Sequence, residues 1–148
     1  MAVNADFVGR TYPPSGPYPV SPQALAAFAS AVGSTDPVHT SQEAAREAGY
    51  RDVIAPPTFA VTLAQECDRQ FIEDPEAGVD FTRVVHGEQR FVHHRPITAG
   101  DEVLGTLTVD AVRQAGGHAM VTTRIELATT GGEALCTSTS TIVIRGGE

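Results

Sequence analysis

The stretch Pro56-Pro57-Thr58-Phe59-Ala60-Val61-Thr62-Leu63-Ala64-Gln65-Glu66-Cys67-Asp68-Arg69-Gln70-Phe71 decides the fold. Two prolines suit the first turn of a helix, where an N–H would have no intrahelical acceptor. Phe59, Leu63, Cys67 and Phe71 then recur at every fourth position with Ala60 and Ala64 beside them, which makes one side apolar. Thr62, Gln65, Glu66, Asp68 and Arg69 are assigned to the other side, and Pro75 prevents continuation. The pattern predicts a helix from Pro56-Pro57 to about Phe71 with an apolar stripe that needs a second layer to cover it.

Downstream, the periodicity changes from helical to alternating. Phe81 to Val92, Glu102 to Arg113, His118 to Ala128 and Ala134 to Arg145 read as four long strands. Val121, Thr123, Ile125 and Leu127 share one strand face; Cys136, Ser138, Ser140, Ile142 and Ile144 share another. Ala99-Gly100-Asp101, Gly116-Gly117 and Gly131-Gly132 are the expected turns. Upstream, Pro13, Pro14, Gly16, Pro17 and Pro19 forbid a helix and predict an extended lead-in. Ser21 and Pro22 then open a helix that carries Leu25, Phe28, Ala29 and Val32 and ends at Gly33. A polar loop, Ser34 to Thr40, leads to a short helix capped by Ser41 and closed by Gly49. Helices followed by a run of strands argue for an α+β class: an antiparallel sheet with one long helix packed on it.

The 148 residues are enough for a single domain, 1–148, with a real core. No run approaches the roughly 18 apolar residues of a membrane span. Met1-Ala2-Val3-Asn4-Ala5-Asp6 has neither the basic nor the apolar region of a signal peptide, so a cytoplasmic location and no membrane partner are expected. Net charge is −8, all ten basic residues are arginines, and they do not cluster, which argues against nucleic acid. A local patch, Arg46 with Arg51 or Arg90 with Arg95, would suffice for an acidic protein such as an acyl carrier protein. The same arginines read singly as solubilising charges. Cys67 and Cys136 are far apart without metal-ligand company and read as buried apolar residues.

Several segments carry a family resemblance. Ala31-Val32-Gly33-Ser34-Thr35-Asp36-Pro37-Val38-His39 is followed by Ala44-Ala45-Arg46-Glu47-Ala48-Gly49-Tyr50 and by Asp52-Val53-Ile54-Ala55-Pro56-Pro57-Thr58-Phe59. Later come His86-Gly87-Glu88-Gln89 and His94-Arg95-Pro96-Ile97-Thr98-Ala99-Gly100-Asp101. In order and spacing these resemble the N-terminal-type MaoC-like dehydratases over nearly the whole chain. Within them the chain is most similar to the non-catalytic type of subunit in actinobacterial (3R)-hydroxyacyl-ACP dehydratase heterodimers. The resemblance implies a hot-dog fold, a long central helix wrapped by a curved antiparallel β-sheet, paired with another hot-dog subunit. It also implies acyl groups carried on coenzyme A or acyl carrier protein as substrates.

Dehydration of a 3-hydroxyacyl thioester needs a base at C2, an acid for the departing hydroxyl and a donor to the thioester oxygen. The family places the acid/base pair on a Gly-Asp-x-Asn-Pro-apolar-His loop. Gly33, Pro37 and His39 match that loop, but Ser34 stands at the aspartate position and Asp36 at the asparagine position. A serine cannot act as the carboxylate. The family's oxyanion donor lies at a His-Gly pair that corresponds to Pro56-Pro57, and proline has no N–H. Thr58 and Phe59 are expected to keep free first-turn amides, so a displaced anion site could persist.

Three readings follow. The first is an acyl-chain-binding subunit of a (3R)-3-hydroxyacyl thioester dehydratase in fatty-acid elongation, with Pro57, Thr58, Phe59 and Tyr50 as substrate-binding residues and a catalytic hot-dog partner. The second is a self-sufficient R-specific enoyl hydratase/dehydratase homodimer using His39 and Asp36. The third is a non-enzymatic acyl-thioester-binding module. His39 itself reads either as a cleft residue or as a loop histidine bonded to nearby backbone. Tyr50 and Arg51 fit either a tunnel mouth or a surface corner.

No cofactor is expected and no metal. His93 and His94 are adjacent in a strand and should point to opposite faces, while His86 and Glu88 share a face without a third ligand and are expected to fix strand register or the dimer interface. The two glycine pairs lack the following helix that a phosphate loop requires.

Overall fold

The computed structural model describes residues 3–146, so Met1 and Ala2, at the head of the stretch read for a leader, lie outside it. Helix α1 spans Pro22–Ala31, with the Ser21 hydroxyl accepting the Ala24 N–H at 3.0 Å. Helix α2 spans Gln42–Glu47 under a Ser41 cap, and helix α3 spans Ala60–Ile72. Five strands form one antiparallel sheet: β1 (Ser15–Pro19), β2 (Val84–His93), β3 (Glu102–Ala115), β4 (His118–Thr129) and β5 (Ala134–Ile144). Their order across the sheet is β1-β3-β4-β5-β2.

The α+β expectation holds, with four local differences. The proline-rich lead-in is itself a strand, β1, because an edge strand needs donors on one side only. The strand expected from Phe81 begins at Val84: Asp80 accepts the Thr82 N–H and hydroxyl and bends Phe81–Arg83 into a 3-10 turn. Helix α3 starts at Ala60 rather than at Pro56-Pro57. The Phe59 N–H goes to the Pro56 carbonyl at 2.9 Å, and the Val61 and Thr62 amides close three-residue turns on Thr58 and Phe59. The fourth difference concerns Asp68, described below.

α3 lies across one face of the sheet with Ala60, Leu63, Ala64, Cys67 and Phe71 buried. Beneath it are Val103, Leu107, Val109, Val121, Ile125, Leu127, Leu135 and Ile142, each contributing about 1.5–3 kcal/mol where an aliphatic side chain is fully covered. Phe7 packs edge-on against Phe71, 6.1 Å between ring centroids, and closes the far end. The helix seats closely because β3 carries Gly105 below Cys67; a Cβ there would overlap the Cys67 sulfur and approach Leu127 Cδ2 to 3.2 Å. Burial pushes both thiols, Cys67 and Cys136, up to about 11, consistent with inert core residues. Ala115 pairs with His118 across Gly116-Gly117, whose φ values of 57° and 81° are those a tight two-residue hairpin demands.

Asp68 is buried, although its polarity assigned it to the solvent side. It follows Ala60 and Ala64 in the same row along α3, and position overrides residue type. Thr123 Oγ1 donates to its carboxylate at 2.8 Å. Thr123 lies opposite Ser140, and Ser140 opposite Gln89, so the polar row continues across three strands. Ser140 Oγ donates to Gln89 Oε1 at 2.8 Å, and Gln89 Nε2 donates to Ser138 Oγ at 2.7 Å. Every member of the row has a partner, as buried polar groups require.

Two consequences are measurable. Gly105→Ala should cost about 1–3 kcal/mol in urea denaturation, with part of the loss recovered by adding Cys67→Ala; an unaffected midpoint would contradict the close seating. Burial raises the Asp68 carboxyl from 3.8 to about 6, against the Thr123 hydroxyl and the field of His86. The native state thus holds this proton more tightly than the unfolded chain, and stability should fall as pH rises from about 4 through about 6. Asp68→Asn, which still accepts from Thr123, should remove that slope and gain up to about 3 kcal/mol at neutral pH. Parallel stability curves for the two proteins would refute this.

Candidate functional site

The loop after α1 folds back by its own side chains. Gly33, at φ 71°, turns the chain, and the Ser34 N–H closes on the Ala29 carbonyl at 2.8 Å. Asp36 Oδ1 accepts the Val38 N–H at 3.0 Å and caps a 3-10 turn, Pro37–His39. That turn delivers His39 inward, where only 7% of it remains exposed. His39 Nδ1 lies 2.8 Å from the Ile54 carbonyl. A carbonyl only accepts, so Nδ1 carries the proton and Nε2 is left with the lone pair in the neutral ring. The Ile54 N–H answers by bonding the Val38 carbonyl at 3.0 Å, so the loop is pinned to the segment that leads into α3.

These elements surround a cleft of about 660 Å³ beside the start of α3, a size typical of small-molecule sites. Its apolar wall includes Val38, Ile54, Ala55, Pro56, Pro57 and Ile97; its polar groups are Asp36, His39, Tyr50, His93, His94 and Arg95.

Four of the residues expected at a site, Asp36, His39, Tyr50 and Pro57, thus meet in one place. Three do not. Ser34 is outside the lining, Thr58 is exposed outside it, and Phe59 is buried edge-on against Phe28 with centroids 5.5 Å apart. The expectation of free first-turn amides fails at Phe59, whose N–H is taken by Pro56.

The histidine pair also differs from expectation. His93 and His94 were to face opposite ways, yet both line the cleft, because β2 ends at His93 and the alternation stops there. His93 stacks on Phe91 at 5.8 Å. His86 and Glu88 straddle a bulge at Gly87, with His86 Nε2 donating to the Glu88 carbonyl at 3.1 Å. Among the described residues no three His, Cys, Asp or Glu side chains are grouped to hold a metal ion.

Sequence reasoning took Asp101 for a turn residue and missed its larger role. Its side chain is 4% exposed and accepts from Arg51, from both terminal nitrogens of Arg95 and from the Thr98 N–H at 2.8–3.2 Å. Burial alone would push this carboxyl up; the Arg95 fork, the Thr98 N–H and Arg51 override it and hold it below the ordinary value. Arg95 also reaches Glu133 at 3.0 Å. Asp101 therefore ties the segment after α2 to the β2–β3 connection, and Arg95 carries the tie on to the β4–β5 turn. Only the three-residue spacing from Thr98 to Asp101 was visible locally; the arginine partners come from the fold.

Residues 6–138 match the family described as FAS1-like, dehydratase domain region. A UPF0336 protein of Saccharopolyspora erythraea is 46% identical over 146 residues, 99% of this chain and 94% of that protein. The HadBC (3R-hydroxyacyl-ACP dehydratase) complex from Mycobacterium tuberculosis contains a chain that superposes with a TM-score of 0.82 at 30% identity, covering 93% of this chain and 97% of that one. A MaoC-like dehydratase superposes with a TM-score of 0.87 at 32% identity, covering 95% of this chain and 43% of that one. The architecture, α3 enclosed by the curved antiparallel sheet, is the hot-dog fold.

Removing the Asp101 carboxylate leaves two arginines without their buried partner. Asp101→Ala should lower unfolding free energy by about 3 kcal/mol, with Asp101→Asn less affected. A loss below about 1 kcal/mol for the alanine variant in chemical denaturation would dismiss the tie.

Proposed function

The chain belongs to the FAS1-like dehydratase-domain family, and on that premise we propose that it is the acyl-holding subunit of a (3R)-3-hydroxyacyl thioester dehydratase. The carrying observation is the loop itself. His39 reaches the cleft with Nε2 available, while the position that would hold the paired carboxylate is Ser34, outside the cleft lining. Dehydration breaks a C2–H and a C3–O bond, forms the C2=C3 bond, and needs a base for the proton and an acid for the leaving hydroxyl. This cleft supplies one of the two in register. Its apolar wall and size suit the thioester end of an acyl chain on coenzyme A or an acyl carrier protein.

The second hot-dog chain would dock along β2. That strand is ten residues long, forms one edge of the sheet, and exposes Val85 and Val92, with Phe81 exposed just before it. A long edge strand with an unpaired row of N–H and C=O groups is a template for pairing with another chain. The similarity to a chain of the HadBC complex supports a partner of the same fold. In this reading residues 1–148 form one domain that works as half of a pair.

A second reading has one observation in its favour: Asp36 lines the same cleft as His39. It is set back by its bond to the Val38 N–H. Enoyl-thioester hydration assays separate the readings. The purified chain should show no turnover of crotonyl or longer substrates alone, and turnover should appear with a hot-dog partner carrying an intact Gly-Asp-x-Asn-Pro-x-His loop. Robust turnover by the chain alone, abolished by His39→Ala, would establish the self-sufficient homodimer instead. Acyl-thioester binding with no turnover beside any such partner would leave a binding module.

A further inference from the structure

We propose that β2 is a self-complementary edge, on which a second copy of this chain pairs about a two-fold axis through Gln89. This rests on the docking of a chain along β2 and not on the acyl-holding role. The two ends of the strand fix the direction of its backbone groups. The His94 N–H goes to the Leu135 carbonyl and the Arg145 N–H to the Arg83 carbonyl, so His94 and Arg83 both face β5. Alternation along an antiparallel ladder then turns Val85, Glu88, Arg90 and Val92 toward β5. Val84, His86, Gln89, Phe91 and His93 are left with their N–H and C=O groups at the free edge. Gly87 is the extra residue of the bulge, so the strand has nine ladder positions and Gln89 is the middle one.

Full antiparallel overlap of two copies therefore centres on Gln89. It sets Phe91 against His86 and His93 against Val84 of the second copy. On the outer face the same register sets Glu88 opposite Arg90 and Val85 opposite Val92, each contact occurring twice. All four side chains are exposed in the single chain, the valines at 42% and 45%. The two neighbouring registers that keep the hydrogen bonding set Arg90 against Arg90 or Glu88 against Glu88, and like charges directly opposite are destabilising. The other edge of the sheet is a poor template, because β1 is five residues long and includes Pro17 and Pro19, which have no N–H. One competent edge per chain gives a closed pair rather than a filament. With His93 opposite Val84, the turn Phe81–Arg83 of each copy comes next to the end of β2 on the other, where His93 and His94 line the cleft. A catalytic partner would use the same edge, so it and the second copy exclude each other.

Sedimentation equilibrium of the full chain at micromolar concentration should give twice the 15.6 kDa chain mass. Glu88→Arg should weaken the pair about ten- to hundredfold, and adding Arg90→Glu should restore it. Val85→Cys with Val92→Cys, at opposite ends of one strand and too far apart to join within a chain, should oxidise to a covalent dimer; neither single cysteine should. A pair indifferent to Glu88→Arg, no recovery in the charge swap, or a covalent dimer from Val92→Cys alone would overturn the assignment. A chain that stays monomeric alone yet binds a catalytic hot-dog chain would also overturn it, and would leave the acyl-holding subunit standing. A dimer that behaves as stated but binds no acyl thioester would uphold the self-pairing and defeat that other reading.

Discussion

The close seating of α3 on β3 is the constraint from which the rest of the structure follows. Gly105 has no side chain, so Cys67 can sit directly over the strand and the apolar row of α3 meets the sheet without a gap. Interiors are packed to crystal-like density, and a single methylene at this contact would lift the helix. The position of the helix start then sets where Pro56 and Pro57 stand, and with them one wall of the cleft. The cleft is thus an outcome of core packing at one remove.

Its other walls are loops, held by polar bonds rather than by burial. The His39 ring bonds the Ile54 carbonyl and the Ile54 N–H bonds the Val38 carbonyl, and these two bonds fasten the loop after α1 to the entrance of α3. Asp101 gathers two arginines and the Thr98 amide behind the opposite rim. Loops carry functional groups well only when the scaffold fixes them, and here each loop is fixed by a group that is itself buried. The same bonds settle which nitrogen of His39 is free, so the structural anchor and the chemistry offered to a ligand are one feature.

The interior is not uniformly apolar. Asp68, Thr123, Ser140 and Gln89 form a satisfied polar row between helix and sheet, and the row ends on β2, the edge available to a second chain. A buried carboxyl lowers stability at neutral pH, so this row works against the hydrophobic burial around it. Inner-face hydroxyls at Thr123, Ser138 and Ser140 keep strand alternation intact while supplying partners, which is why they resemble ordinary strand residues in sequence.

Much of the fold was legible because periodicity is local. The stripe of α3, the alternation of β3 to β5, the Ser21 and Ser41 caps and the Gly116-Gly117 turn depend on residues within one element. The motif order pointed to the hot-dog dehydratases. What the sequence could not specify depends on contacts between distant segments. β1 exists because β3 offers it an edge, and Asp68 is buried because its row faces the sheet. Asp101 is a hub because Arg51, fifty residues away, folds onto it. His93 and His94 share a cleft because β2 stops where it does. Side-chain chemistry was written in the residues, but which groups share one cavity, and which nitrogen of His39 is left free, follow from contacts that only the tertiary structure makes.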